Sequence, residues 1–140
     1  MPEENKKYLL DTDICVYLLN NNKKLKQKVR EVCVERIGVS VVTVAELHYG
    51  AFYSQKRREN LERIKDFLAE PGPKIYLADQ DVAVEFGRIK ANLRREGKII
   101  SDFDLVIAAI ALVHTCVLAT NNTEHFERVK ELKIENWLAD

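Results

Sequence analysis

The stretch Tyr8-Leu9-Leu10-Asp11-Thr12-Asp13 places three apolar residues directly before a carboxylate, a hydroxyl and a second carboxylate. A short apolar run of this kind predicts a buried β-strand. In a parallel sheet the chain leaves the core at the carboxyl end of each strand, and ligands bind there. Asp11 is therefore predicted to lie at a functional edge of the sheet, where further acids would form a site with it.

The composition fits one ordinary domain spanning residues 1–140. Hydrophobic residues make up 46% of the 140-residue chain and charged residues 31%, which is enough to bury a core. Lys plus Arg and Asp plus Glu each number 22, so the net charge neither indicates nor excludes a nucleic-acid partner. The three cysteines, Cys15, Cys33 and Cys116, lie far apart, which favours a reducing compartment over a disulfide framework.

No stretch of the sequence has the character of a membrane or export segment. The amino terminus, residues 1–7, is polar and charged, unlike a signal peptide. The longest apolar run, Leu105 to Val113, is shorter than the roughly 20 residues that span a bilayer. We expect a cytoplasmic protein without a membrane partner.

Strand and helix patterns alternate along the chain. Helical patterns cover residues 14–19, 23–36, 55–70 and 101–113, with others beginning at Thr43, near residue 79 and near His125. Strand patterns cover residues 8–10, 37–42, 74–78, 116–119 and 133–138. This alternation predicts an α/β fold of three layers, with a central parallel sheet between two layers of helices.

Further acids are predicted at the same edge as Asp11. Glu46 follows the second strand by one turn, and Asp104 opens the apolar helix 101–113. Thr43-Val44-Ala45-Glu46 also matches a capping box, in which Glu46 would only bond back to the helix start. Asp102 is predicted to be either a helix cap or a metal ligand, and Asp13 to cap the first helix.

Grouped carboxylates repel one another, and a hard divalent cation relieves that repulsion. Oxygen ligands favour Mg²⁺ or Mn²⁺ over Zn²⁺. The predicted metal ligands are Asp11, Glu46, Asp104 and Asp102. The expected reaction is hydrolysis of a phosphodiester by metal-activated water.

Four motifs in order carry a family resemblance. They are Tyr8 to Ile14, Ser40 to Leu47 with Gly50, Asp102 to Ala109, and Thr120-Asn121-Asn122 followed by Phe126. Together they resemble the PIN-domain ribonucleases, and most closely the VapC toxins of toxin–antitoxin pairs. The resemblance spans nearly the whole chain and implies a PIN-like fold and a Mg²⁺- or Mn²⁺-dependent endoribonuclease.

The resemblance also implies catalytic residues and partners. Asp11, Glu46 and Asp104 match the family's metal-binding acids, and Asn122 stands where many members have an aspartate. Members with asparagines here resemble toxins that cut initiator tRNA, so RNA, in particular tRNA, is the implied substrate. The implied protein partners are a VapB-type antitoxin and a second copy of the chain. Four apolar residues of the first two helices are expected to be exposed for these interfaces: Val16, Tyr17, Leu25 and Val29.

Two other functions fit parts of the sequence. Asp11-Thr12-Asp13 has the D-x-D pattern of haloacid-dehalogenase-like phosphatases, although Cys15 replaces their usual threonine. A catalytically weak PIN scaffold that acts by binding would explain Asn121 and Asn122. A basic segment just before Asp102 is either a solvated helix end or an RNA contact, and it comprises Arg88, Lys90, Arg94, Arg95 and Lys98.

Overall fold

A computed structural model describes residues 5–139 of the protein. Five strands form one parallel sheet in the order β3-β2-β1-β4-β5. The strands are β1 (Lys7–Leu10), β2 (Ile37–Ser40), β3 (Lys74–Tyr76), β4 (Cys116–Ala119) and β5 (Ile134–Glu135). The predicted parallel sheet is confirmed. The predictions for residues 1–4, in the polar amino terminus, and for residue 140 lie outside the described residues.

Seven helices connect and cover the strands described here. They are α1 (Thr12–Leu19), α2 (Lys23–Val32), α3 (Val41–Tyr53), α4 (Arg57–Leu68), α5 (Gln80–Arg95), α6 (Asp102–Val113) and α7 (Thr123–Phe126). The 3-10 turn Val34–Arg36 directly precedes β2. Helices α1 to α4 contribute to one apolar core, and α5, α6 and α7 contribute to the other.

The central strand explains why there are two cores. Successive side chains of a strand point to opposite faces, so Tyr8 and Leu10 pack with α1 to α4 while Leu9 packs with α5 and α6. Helix α6 is apolar on all sides after its first turn, and its residues from Ile107 to Ala111 are fully buried. The predicted three-layer arrangement is therefore confirmed.

The chain order creates a switch point beside β1. From β1 the chain moves outward to β2 and β3, then returns to place β4 on the other side of β1. In such sheets the connections from the two neighbouring strands leave in opposite directions, and a crevice opens between them. The carboxyl ends of β1 and β4, at Leu10 and Ala119, border this crevice.

Several predicted boundaries are wrong. The predicted strand 37–42 ends at Ser40, because the Ser40 side chain accepts a hydrogen bond from the backbone N–H of Thr43 and caps α3. The predicted helix 23–36 ends at Val32, because Cys33 adopts a φ of 79°, outside the helical range. Leu25 is fully buried rather than exposed, whereas Val16 and Tyr17 are exposed as predicted.

Among residues 5–139, no helix is both long enough and apolar enough to cross a lipid bilayer.

Candidate active site

Asp11 lies at the switch point, immediately after β1. Its backbone N–H donates to the carbonyl of Ala119 in β4 (2.9 Å). Its carboxylate accepts two hydrogen bonds at 2.8 Å, one from the backbone N–H of Thr12 and one from the hydroxyl of Thr120. The side chain is thereby fixed between the ends of β1 and β4, and the residue is only 5% exposed.

The environment of Asp11 disfavours its negative charge. Burial, together with the nearby carboxylates of Asp13 and Asp104, raises the pKa of Asp11 to about 7, against the two hydrogen bonds that lower it. A carboxylate held in this way gains stability from a cation placed beside it. Strongly perturbed acids of this kind concentrate at functional sites.

Asp13 belongs to the same group of acids, which sequence reasoning missed. It was predicted to be the helix cap, but α1 begins at Thr12 and Asp11 is its N-cap. The Asp13 carboxylate accepts from the backbone N–H of Ile14 (2.7 Å) and of Asn121 (3.0 Å). Burial raises the pKa of Asp13, and the charge of Asp104 raises it further. The D-x-D spacing was the available signal, but it was assigned to the phosphatase alternative and Asp13 to helix capping.

Glu46 reaches the site from α3. The predicted capping box is wrong, because Ser40 is the N-cap of α3 and Glu46 lies beyond its first turn. The Glu46 carboxylate instead accepts a 2.6 Å hydrogen bond from the hydroxyl of Thr12. The Thr12 hydroxyl also lies 3.0 Å from that of Thr43. The Glu46 carboxylate is thus held at the first residue of α1, Thr12, which directly follows Asp11.

Asp104 enters from the opposite layer of helices. It lies in the first turn of α6, where free backbone N–H groups favour a negative charge. Its carboxylate lies 3.9 Å from Nδ1 of His125, and the side-chain amide of Asn122 donates to that same nitrogen at 2.9 Å. Asn122 therefore contacts His125, which in turn lies next to Asp104. Only the fold places this histidine beside Asp104.

Asp102 lies apart from these acids. Its carboxylate accepts a 2.9 Å hydrogen bond from Nζ of Lys90 in α5. The predicted cap role is wrong, because Ser101 is the N-cap of α6 and accepts from the backbone N–H of Asp104. The structure thus brings the carboxylates of Asp11, Asp13 and Asp104 together, and Glu46 lies near them. Asp102 instead forms an exposed ion pair with Lys90.

The donors at this site fit a hard divalent cation. Asp11, Asp13 and Asp104 offer carboxylate oxygens. The pKa of Asp11 is raised first by burial and then by the charges of Asp13 and Asp104, and a cation beside the carboxylate would offset both. Within residues 5–139, no group of three or more acid, histidine or cysteine side chains is already arranged so that it could hold a metal ion. A closed cluster is not required for Mg²⁺, which keeps several waters and uses one or two carboxylates.

Comparisons with known proteins agree with this geometry. The model of the PIN domain family matches residues 8–132. Ribonuclease VapC2 of Haemophilus influenzae is 37% identical, over 94% of this chain and 98% of that protein. The tRNA(fMet)-specific endonuclease VapC of Shigella flexneri is 35% identical, with the same coverage.

A solved structure shows the same fold. The crystal structure of VapBC2 from Rickettsia felis, bound to a DNA fragment from their promoter, matches with a TM-score of 0.86 and 32% identity. The match covers 93% of this chain and 98% of that one. The fold, the order of the motifs and these relatives agree. The chain belongs to the PIN-domain family and, within it, to the VapC ribonucleases.

Proposed function

We propose that the protein is an endoribonuclease that depends on Mg²⁺ or Mn²⁺ and hydrolyses RNA phosphodiesters. The single observation that carries the proposal is the Asp11 carboxylate at the switch point, whose pKa is raised to about 7 by its burial and by the nearby charges of Asp13 and Asp104. Such a site favours a cation and, through it, a substrate phosphate. The VapC ribonuclease relatives support the same activity.

The residues of the site have separate proposed roles in binding the ion and the substrate. Asp11, Asp13 and Asp104 would hold the metal, with Glu46 as a further ligand. The bound ion would supply a Lewis acid that activates water for attack on phosphorus. Thr120 and the backbone N–H of Thr12 fix the Asp11 carboxylate. His125 and Asn122 border Asp104 and provide polar groups on the side where α6 begins.

We propose initiator tRNA as the first substrate to examine. The Shigella flexneri relative is named a tRNA(fMet)-specific endonuclease, and the asparagines of the fourth motif, Asn121 and Asn122, favour the same subgroup. A tRNA substrate also implies action in the cytoplasm. The PIN family assignment leaves no support for a haloacid-dehalogenase-like phosphatase acting through Asp11.

The experiment is cleavage of purified initiator tRNA and of a bulk RNA pool in Mg²⁺, in Mn²⁺ and in EDTA. The proposal predicts discrete fragments that require metal and disappear in the Asp11→Asn and Asp104→Asn variants. Asp66→Asn is the matched control, because Asp66 is exposed on α4. Folded, antitoxin-free protein that cleaves neither RNA with either metal would overturn the proposal and favour a PIN scaffold that acts by binding.

A VapB-type antitoxin is the proposed protein partner. A cavity of about 220 Å³ opens between α1, α3 and α4, beside Thr12 and Glu46. Its walls are mainly apolar, and Asn20, Asn60 and Arg63 are further polar members of the lining. Near it, the end of α3 exposes stacked Tyr49 and Tyr53, the latter 82% exposed. The VapBC structure from Rickettsia felis supports an antitoxin partner, and we propose that the antitoxin binds at this cavity.

We also propose that the protein forms a homodimer. The exposed apolar residues Val16 and Tyr17 of α1 are available for such an interface. Sedimentation of the purified chain at micromolar concentration is expected to show twice the monomer mass. A monomer under these conditions would contradict the dimer without affecting the ribonuclease proposal.

A further inference from the structure

A second cavity lies on the other side of the acids, between α5 and the start of α6. It has a volume of about 220 Å³. Its apolar walls are formed by Leu93, Ile99, Ile100 and Leu105. Leu93, Ile100 and Leu105 are buried and form a fixed floor, whereas Ile99 is 78% exposed and forms an open wall. The cavity is therefore apolar inside and open to solvent at one side.

Three cations line the same cavity. Lys90 and Arg94 are four residues apart on α5, so they project from one face of the helix. Lys98 follows the turn at Gly97, whose φ of 72° ends the helix and brings the chain back over it. All three side chains are exposed. A small apolar cavity with a basic rim results.

The cations of this rim differ in how far they are already engaged. The carbonyl of Arg94 accepts from the backbone N–H of Gly97, but its guanidinium makes no hydrogen bond or ion pair with any residue from 5 to 139. Lys98 lies 3.5 Å from Glu96, and Lys90 pairs with Asp102 at 2.9 Å. Both pairs are solvent-exposed, and exposed pairs contribute little. A phosphate at the rim would therefore meet one unengaged cation and two weakly held ones.

The rest of the basic segment does not share this position. Arg88 bonds Glu85 and also pairs with Glu131 at 3.2 Å. Arg95 donates to the side chain of Asn92 at 3.0 Å. Neither residue lines the cavity. Of the five basic residues that the sequence suggested as RNA contacts, only Lys90, Arg94 and Lys98 therefore line the cavity.

We propose that this cavity is a nucleotide subsite for the RNA substrate. An unstacked base would occupy the apolar interior, and the flanking phosphates would lie on Lys90, Arg94 and Lys98. Single-stranded RNA is recognised in this way, with bases on apolar or aromatic surfaces and backbone phosphates on cations. The charge of the rim favours RNA over an uncharged apolar peptide segment. The inference rests on the proposed ribonuclease function.

The position of the cavity relative to the acids defines what the subsite would hold. Leu105 is the residue after Asp104, on the side of α6 that faces α5. The Lys90–Asp102 pair joins α5 to the same first turn of α6. The bound nucleotide would therefore flank the cleaved bond rather than contain it. The subsite would contribute to the affinity and sequence preference of the enzyme.

The first test measures how phosphate contacts respond to salt. A fluorescein-labelled single-stranded RNA of about ten nucleotides is titrated with the full-length protein in EDTA, where cleavage is suppressed, at several NaCl concentrations. Arg94→Ala is expected to weaken binding about fivefold at low salt and to reduce the slope of log affinity against log salt by about 0.7, as for one lost phosphate contact on a single strand. Lys65→Ala, on α4 across the sheet, is the matched control and should change neither quantity.

The second test isolates the base. Ile99→Ala shortens the exposed wall but keeps the backbone carbonyl that accepts from Arg128. It is expected to weaken binding about threefold without changing the salt slope. For an RNA of the same length that lacks its bases, the wild-type protein and Ile99→Ala should bind equally. That pattern would support a base in the cavity.

The outcomes separate the subsite from the proposed function. Metal-dependent cleavage with unchanged RNA affinity in Arg94→Ala and Ile99→Ala would overturn the subsite while the ribonuclease stands. If these variants bind RNA normally but sediment at a different mass from the wild type, the cavity is a protein interface and the subsite is wrong. If the wild-type protein neither binds nor cleaves RNA, both proposals fail.

Discussion

The hydroxyl of Thr12 donates a 2.6 Å hydrogen bond to the carboxylate of Glu46, joining the start of α1 to α3. Two further hydroxyls extend this contact, because Thr12 lies 3.0 Å from Thr43 and Ser40 donates to Thr43 at 3.2 Å. Each hydroxyl has one proton to donate, so the chain runs from Ser40 through Thr43 and Thr12 to Glu46. The residue that caps α3 thereby also helps to position a candidate metal ligand.

Removing the Thr12 hydroxyl is expected to impair the site without unfolding the protein. Thr12→Val keeps the shape of the side chain but leaves Glu46 without its donor. Loss of such a supporting contact typically costs about 10- to 100-fold in metal affinity or activity. The measurement is the Mg²⁺ concentration that gives half-maximal RNA cleavage. Thr12→Ser should restore it, and equal values for Thr12→Val and the wild type would show that Glu46 needs no positioning.

The two aspartates of the first turn of α6 should behave differently. Asp104→Asn removes a charge from the group that includes Asp11, and it is expected to reduce cleavage by about 100-fold or more. Asp102→Asn breaks only the exposed pair with Lys90 and should reduce it by less than about threefold. The comparison uses initial cleavage rates at saturating Mg²⁺. Similar losses in both variants would place Asp102 at the metal after all.

The metal-free protein should become less stable as the pH rises through the acidic range. The pKa of Asp11 is about 7 in the folded protein against its usual 3.8, so the folded state binds the proton more tightly than the unfolded state. The free energy of unfolding in EDTA therefore falls between about pH 4 and pH 7, by on the order of a few kcal/mol. Urea denaturation across this range measures the change.

Asp11→Asn provides the internal comparison for this pH dependence. It removes the buried charge, so the variant should be more stable than the wild type at pH 7.5 in EDTA. Its free energy of unfolding should also change less with pH. Part of the pH dependence of stability should remain in this variant, because the pKa of Asp13 is raised as well. A variant that is less stable than the wild type at pH 7.5 would indicate that Asp11 is not destabilising when ionised.

Position 38 in the sheet is expected to be destabilised by any residue larger than glycine. A Cβ atom at Gly38 in β2 would lie 2.2 Å and 2.8 Å from ring atoms of the buried Tyr76 and 3.1 Å from the carbonyl of Lys74. Gly38→Ala is therefore expected to reduce the free energy of unfolding by about 1–3 kcal/mol. Thermal or urea unfolding measures it.

Gly87 is the matched control for that substitution. A Cβ atom there meets nothing within 4 Å, and the residue lies in the middle of α5. Gly87→Ala should stabilise the protein by about 0.5–1 kcal/mol, since alanine favours a helix. If Gly38→Ala and Gly87→Ala changed the free energy of unfolding in the same direction, the close approach of Tyr76 to β2 would not explain the effect of Gly38→Ala.

The sequence predicted the layers of the fold better than the ends of its elements. The apolar strands and the buried helix α6 have strong patterns, so the parallel sheet and its two helical layers were predicted correctly. The end of β2 was predicted two residues late, because an apolar run through Val42 conceals the cap at Ser40. The same local ambiguity suggested a capping box for Glu46, which the structure replaces with the bond from Thr12.

The sequence by itself determined which acids are the candidates for the chemistry, because their positions after strands and at helix starts are local features of the chain. Asp11, Glu46 and Asp104 could be chosen in this way. Only the tertiary structure decided that Asp13 joins them, that His125 borders Asp104 and that Asp102 pairs with Lys90. These relationships depend on the strand order, which brings β4 beside β1 and packs α5 on α6. Such distances between remote segments are set by the packing of the whole sheet and not by any single stretch.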